Sequence, residues 1–342
     1  MLLVIADKAL LIPQIRDRYT TATPIDYNIL SIENEASLND HHQKQVWAFG
    51  TSRTIPFSNV PTTADIENDT FIDHDDRIQL RQYRINAFAL PGSVPIAYLH
   101  HYLYLKSKGY KPDLVWIEVS PFVLNRNYLS RRDHLTFLAP DTFIIRHWAE
   151  YPVNFLSEWT ISQIIKGSVF PPTLNRPGML SLAKLSNPLL THRLTTNRPS
   201  TRTHHSGSDR GITNFGDPSK PGDYRNTLLS THVQGFLNDY TIDTMAMDCL
   251  KTLMADLTAE NIPFLLWVPP VHPNLTYLDN EFQIKKPFTK ALQQLTTNGQ
   301  PLIQISINSM NCQLFRDESH LSPYCYTELA AKLLSASKTK EY

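Results

Sequence analysis

The chain has 342 residues, 42% hydrophobic and 19% charged; that content suits one large α/β domain with insertions, or two domains, and excludes global disorder. Lys plus Arg equals Asp plus Glu, 32 of each, so the charge balance gives no reason to invoke nucleic acid as a partner. Proline is abundant (24) and glycine scarce (11), which fits long extended loops better than Gly-rich phosphate cradles.

Residues 1–43 read as an N-terminal segment. Leu2–Ile5 and Ala9–Ile12 are apolar, but Asp7 and Lys8 interrupt them. Neither run approaches the roughly 18–20 residues of a membrane span, and no basic region precedes an apolar core, so no cleavable signal peptide is expected. The segment is a candidate membrane-proximal amphipathic helix, or the stump of an anchor that starts upstream. It is expected to pack on the domain or on a membrane surface rather than to cross a bilayer alone.

Residues 44–337 carry the pattern of an α/β domain. Five short apolar runs, Val46–Phe49, Ile85–Leu90, Leu114–Val119, Phe264–Val268 and Leu302–Ile307, are bounded by polar or turn residues. Buried runs of this length, most of them separated by helical periodicity, predict a parallel sheet with crossover helices. The helices are predicted over Ile96–Lys108, ended by Gly109, over Ile242–Glu260, and over Pro323–Ser335, where Ser322 is a good N-cap and proline occupies the first turn. Residues 121–231 break the pattern. This insertion is rich in Pro, Arg, His, Asn and Ser, most of all over Arg193–Asp223. Short helices are candidates over Thr142–Tyr151 and Val153–Ile165, and the segment is expected to cover the carboxyl edge of the sheet.

The cysteines are Cys249, Cys312 and Cys325. No C-x-x-C pair exists, which excludes a zinc ribbon or thioredoxin-like site. Buried free thiols are expected, with pairing of Cys312 and Cys325 as the alternative. No metal site is expected. His100 and His101 sit on a helical pattern, His204 and His205 lie in a polar tract without carboxylates at ligand spacing, and Asp73-His74-Asp75-Asp76 resembles a turn. No P-loop or dinucleotide fingerprint occurs, and no cofactor is expected.

Two landmarks carry chemistry. Phe49-Gly50-Thr51-Ser52-Arg53 follows the first strand, and ligands of open parallel sheets bind beyond the carboxyl ends of strands. On its own this is a turn whose serine exposes its hydroxyl or caps a helix. Phe315-Arg316-Asp317-Glu318-Ser319-His320 precedes the last helix. An aspartate three residues before a histidine can hold one ring nitrogen while the other takes a serine proton, although these residues alone read first as an exposed Asp/His pair.

Taken together, the order and positions of these landmarks resemble the SGNH (GDSL-like) hydrolase superfamily. There the nucleophile lies in a G-D-S or G-[ST]-S turn after the first strand, and a D-x-x-H motif precedes the C-terminal helix. Gly50-Thr51-Ser52-Arg53 is similar to the G-[ST]-S-R variant of envelope-associated O-acyltransferase and D-alanine-transfer branches. Asn86–Ser93 ends the second strand where the superfamily places an oxyanion-hole glycine, here Gly92. The resemblance covers roughly residues 44–121 and 262–337. It departs at Ile117-Glu118-Val119-Ser120-Pro121, where the superfamily commonly offers an asparagine.

The resemblance implies a flavodoxin-like three-layer α/β sandwich with a central parallel sheet. It implies Ser52, Asp317 and His320 as catalytic residues and the N–H groups of Ser52 and Gly92 as an oxyanion hole. Arg53, Ser120, Asn125 and His272 are candidate substrate contacts, with Ser120 or Asn125 standing in for the missing asparagine. The expected activity is a serine-dependent acyl-ester hydrolase or O-acyltransferase acting on an acylated glycan or envelope polymer, with a membrane-associated partner and a cell-envelope location. The alternatives are a non-catalytic glycan-binding or envelope-assembly protein on the same fold, and a flavodoxin-like binding module in which the motifs coincide by chance.

Overall fold

A computed structural model describes residues 43–59, 69–89, 92–107, 109–127, 239–272, 283–297, 299–317 and 319–338, with positions 66, 145 and 237. The chain divides into two compact units, Met1–Tyr27 with Ile144–Asp209 and Asn28–Phe143 with Arg210–Tyr342. Every element described below belongs to the second.

Five parallel strands form one sheet: β1 (Lys44–Gly50), β2 (Tyr83–Ala89), β3 (Leu114–Glu118), β4 (Phe264–Val268) and β5 (Leu302–Gln304). Their spatial order is β2-β1-β3-β4-β5. This is a doubly wound order, and the winding reverses between β1 and β3, so a crevice opens there at the carboxyl ends. All of β3 is buried. Burial on both faces is why the strands read as continuous apolar runs rather than alternating ones.

Helices cover both faces. α1 (His74–Arg81) precedes β2, α2 (Pro95–Ser107) precedes β3, α3 (Thr244–Ala259) precedes β4, α4 (Lys285–Leu295) precedes β5, and α5 (Tyr326–Lys338) ends the domain. On one face, Val46, Ala48, Trp116, Leu265 and Trp267 pack in a single core with Leu329, Ala330, Leu333 and Leu334 of α5. On the other, Phe49 lies edge-on to Tyr102 of α2, ring centroids 6.5 Å apart. Lys106 of α2 reaches Asp256 (2.8 Å) and Glu260 (2.9 Å) at the end of α3, a partly exposed link between neighbouring helices. A flavodoxin-like α/β sandwich is therefore the observed architecture.

Element bounds depart from the sequence expectation where side chains compete with the backbone. The fifth strand stops at Gln304 because Ser306 accepts from the Asn308 amide and opens a 3-10 turn, Ile307–Ser309. Pro323 sits in a 3-10 turn, Pro323–Cys325, and the α-helix begins at Tyr326. The Asp73–Asp76 cluster is a helix start rather than a simple turn. The Asp73 carboxylate accepts from the Asp76 amide at 2.8 Å, and acidic residues fill the first turn. Among the described residues no group of three or more His, Cys, Asp or Glu could hold a metal ion, and no helix is long and apolar enough to cross a membrane. Leu2–Ile12 and the candidate helices and polar tract of the insertion lie outside the described residues, apart from Ile145.

The expectation of three free thiols is overturned. Cys312 and Cys325 form a disulfide with Cα atoms 5.2 Å apart, and Cys249, buried in α3, stands outside that bridge. The turn at Ser322–Cys325 folds the chain back, with the Ser322 amide donating to the Leu314 carbonyl at 2.9 Å. The bridge closes a loop that holds the short antiparallel hairpin β6 (Phe315–Asp317) and β7 (His320–Leu321).

Two outcomes are expected for stability. Replacing both Cys312 and Cys325 with serine removes a cross-link over 13 residues, and loop-closure entropy sets the loss at about 3 kcal/mol, to be read from urea unfolding against the oxidised protein. Burial lowers the pKa of His100 below its ordinary 6.5. The folded state then binds fewer protons than the unfolded chain between the lowered value and 6.5, so this contribution is intact above 6.5 and is lost as the pH falls through the folded value. His100→Gln is expected to flatten that acid limb in a series of unfolding curves from pH 7 to pH 5.

Candidate functional site

β1 ends at Gly50, and the chain turns at once: the Thr54 amide donates to the Thr51 carbonyl (2.9 Å) and the Phe57 amide to the Thr54 carbonyl (3.1 Å). Gly50 is required by close approach. A Cβ there would run into the Thr54 side chain and the Glu118 carboxylate. The turn presents Ser52, partly exposed, at the carboxyl end of the sheet. It then leads into a 3-10 turn, Ile55–Asn59, whose Phe57 ring packs against Trp116 (5.3 Å), Trp267 (5.5 Å) and Tyr326 (5.0 Å). Three edge-on aromatic contacts fix the far end of the turn to β3, β4 and α5.

The hydroxyl of Ser52 lies 2.6 Å from Nε2 of His320, across 268 residues of sequence. Nothing local brings these residues together; the parallel sheet and the β6–β7 hairpin do. Nδ1 of His320 lies 3.0 Å from the Ser319 hydroxyl. When Ser52 donates to Nε2, the ring proton sits on Nδ1 and points toward Ser319. Asp317 pairs with His320 across the hairpin, and its side chain lies outside the described residues.

Beneath the turn is a carboxylate that the motifs alone did not single out. Glu118, the last residue of β3, is fully buried. It accepts from the Thr51 amide (2.7 Å), from the Thr51 hydroxyl (2.8 and 2.9 Å) and from the Thr54 hydroxyl (2.8 Å). Arg53 completes its shell, Nη1 to Oε1 at 3.3 Å. An ionised carboxylate at such a depth is tolerable only with this degree of pairing and hydrogen bonding. The signal available in the sequence is a lone acid inside an otherwise apolar strand, with an arginine and two threonines in the turn after another strand.

Arg53, expected as a candidate substrate contact, is taken up inside the protein. Its Nε donates to the Ser319 carbonyl at 2.9 Å, its guanidinium lies 4.3 Å from the Phe122 ring centroid, and its own carbonyl accepts from the Tyr326 hydroxyl at 2.6 Å. Asn125 is also internal. Its side-chain oxygen accepts from the Asn127 and Thr241 amides, at 3.2 and 3.3 Å, where it bridges to Ile242. His272 is buried, its ring edge-on to Phe315 at 5.1 Å. Gly92 follows β2 at φ +68°, a left-handed conformation suited to glycine. Ser93 and Ser120, which follow β2 and β3 on either side of β1, are buried, and their hydroxyls have no hydrogen-bond partner among the described residues.

A family model described as protein of unknown function, DUF1574, matches residues 1–336. The chain belongs to the DUF1574 family. No curated protein matches it. The family match spans both landmarks, the Ser52 turn and the His320 hairpin. In this DUF1574 chain the serine, the histidine and the buried Glu118–Arg53 pair therefore stand as one connected cluster at the reversal of the sheet.

Gly50→Ala is expected to displace Thr54 or Glu118 from this cluster. Overpacking of this kind costs about 1–3 kcal/mol, and a melting curve beside that of the parent protein measures it.

Proposed function

We propose that this protein is a serine-dependent acyl-ester hydrolase or O-acyltransferase that acts on an acylated glycan or envelope polymer. The observation that carries the reading is the 2.6 Å contact between the Ser52 hydroxyl and Nε2 of His320 at the carboxyl edge of a parallel sheet. A nucleophile and base in hydrogen-bond reach, with a further group at the base's other nitrogen, is the arrangement nucleophilic catalysis needs. The resemblance of the Gly50–Arg53 and Asp317–His320 motifs to the SGNH superfamily supports the same chemistry, and its envelope-associated branches supply the substrate class.

In the proposed reaction Ser52 Oγ attacks the acyl carbonyl while His320 Nε2 takes the hydroxyl proton. The oxyanion faces the N–H groups of Ser52 and Gly92. Collapse breaks the bond to the leaving alcohol, which receives the proton from His320 and leaves Ser52 acylated. Water or a sugar hydroxyl then attacks this ester, giving its proton to His320, and Ser52 departs with that proton restored. Water makes the protein an esterase; a sugar hydroxyl makes it a transferase. Asp317 is assigned the orientation of His320.

The Ser120 hydroxyl is assigned a supporting contact to the oxyanion. It follows the strand beside β1, is buried, and has no partner among the described residues. A buried hydroxyl without a partner costs about 1–3 kcal/mol, a cost that a substrate oxygen would relieve.

The test is release of acetate from a panel of acetylated glycans. Ser52→Ala and His320→Ala are each expected to lower release by at least about a thousandfold, and the double variant to add little, because the residues act as a unit. Asp317→Asn is expected to be milder than either. Ser120→Ala is expected to cost about a hundredfold if it donates to the oxyanion. Undiminished release by Ser52→Ala, together with a Ser52 that does not react with a fluorophosphonate, would refute the reading.

A further inference from the structure

The proposed chemistry requires two segments far apart in sequence to meet within a few tenths of an ångström, since misplacement of reacting groups by 1 Å can cost about a hundredfold in rate. One side chain spans them. Arg53 is the residue after Ser52, and its Nε donates at 2.9 Å to the carbonyl of Ser319, the residue before His320. Its other arm, Nη1, rests on Glu118 at 3.3 Å. Glu118 in turn holds the Thr51 amide, the residue before Ser52, at 2.7 Å.

We infer that Arg53 and Glu118 are positioning residues: a buried strut that sets the distance and angle between the Ser52 hydroxyl and the His320 ring. This deepens the reading of Ser52 and His320 as nucleophile and base, and rests on it.

Four features mark the strut as fixed. Arg53 and Glu118 are buried, with relative exposures of 6% and 0%. Phe122 covers the guanidinium face at 4.3 Å. The Arg53 backbone is held by the Tyr326 hydroxyl at 2.6 Å. The two arms of the guanidinium diverge, one to a carboxylate and one to a backbone carbonyl. A planar fork of fixed geometry can serve both at once, and a lysine ammonium, a point donor on a flexible stem, cannot reproduce that geometry. Arg53→Lys therefore keeps the charge beside Glu118 and removes the tie to the histidine segment.

The experiment has two arms on the full chain. In the first, the labelling of Ser52 by a fluorophosphonate is followed as a function of probe concentration. Ser52 Oγ bonds to phosphorus, fluoride leaves, and the hydroxyl proton passes to His320. Arg53→Lys is expected to lower the maximal labelling rate by about thirtyfold or more with little change in the half-saturating concentration. Loss of folded protein alone would instead lower the labelled amount and leave the rate unchanged. In the second arm, the protein carries ¹⁵N-histidine, and the His320 ring signals are assigned by their loss in His320→Gln. In the parent protein the ring proton is expected on Nδ1, toward Ser319, and Arg53→Lys is expected to show signals averaged between tautomers.

Where Arg53→Lys does not fold, the pair Arg53→Met with Glu118→Gln replaces it. That pair leaves no unpaired buried charge, and the same two readouts are expected to move. A parent-like labelling rate together with parent-like His320 signals in the folded variant overturns the strut. If the parent itself is not labelled, the reading of Ser52 as a nucleophile fails on its own. The ring signals then decide the strut: averaged signals in the variant support it, and unchanged signals overturn it.

Discussion

The Glu118 carboxylate is the constraint around which the site is built. A fully buried acid loses its hydration, and the protein must replace that hydration with donors in the right places. It does so with a backbone amide, two threonine hydroxyls and a guanidinium, all from Thr51, Arg53 and Thr54. Among the described residues every donor comes from the turn that carries Ser52. The turn therefore has little freedom: moving it would strip donors from a charge that has no water to fall back on. Gly50 follows from the same demand, because Thr54, which donates to the carboxylate, and the carboxylate itself lie so close to the strand end that no Cβ fits. At the end of β3 the acid supports the turn from below, and Ser120 is the next polar side chain along.

The histidine side is restrained from the opposite direction. Glu328, in the first turn of α5 and itself buried, accepts from the Asn311 and Cys312 amides at 2.7 and 2.8 Å. The disulfide from Cys312 to Cys325 closes the same loop, and the Ser322 amide binds the Leu314 carbonyl. The hairpin bearing His320 is thus tied to the start of α5. That helix start is in turn tied to the turn that carries Ser52, through Tyr326 to the Arg53 carbonyl and through Phe57. Two buried carboxylates, Glu118 and Glu328, each hold backbone amides of one half of the site.

Much of this was legible in the residues. The five strands are legible because a parallel sheet buried on both faces produces apolar runs, and Ser52 and His320 are legible because they follow the first strand and precede the last helix. The polar helices are harder to read. His74–Arg81 carries no apolar stripe beyond Ile78 and Leu80, so its start resembles a turn until the Asp73 cap is seen. Lys285–Leu295 buries only Ala291, Leu292 and Leu295, too few to stand out. The Glu118–Arg53 pair is hidden for a different reason. Strand patterns are read from apolar content, and a single acid within such a run does not change the reading, whereas its partners lie 64 to 67 positions away. Arg53 beside a serine looks like a substrate contact until its fork is seen to face inward. The disulfide depended on a reversal at Ser322 that spacing alone does not specify.

The distance in sequence between Ser52 and His320 has a consequence for the order of synthesis. Ser52 emerges from the ribosome 268 residues before His320, an interval of roughly 13–54 s at about 5–20 residues per second. Throughout that interval the β1 turn lacks the His320 ring that lies against Ser52 in the finished fold. Only when the final hairpin docks and α5 closes over it does the pair exist. The 2.6 Å contact therefore reports on completion of the fold, because no shorter stretch of the chain contains both partners.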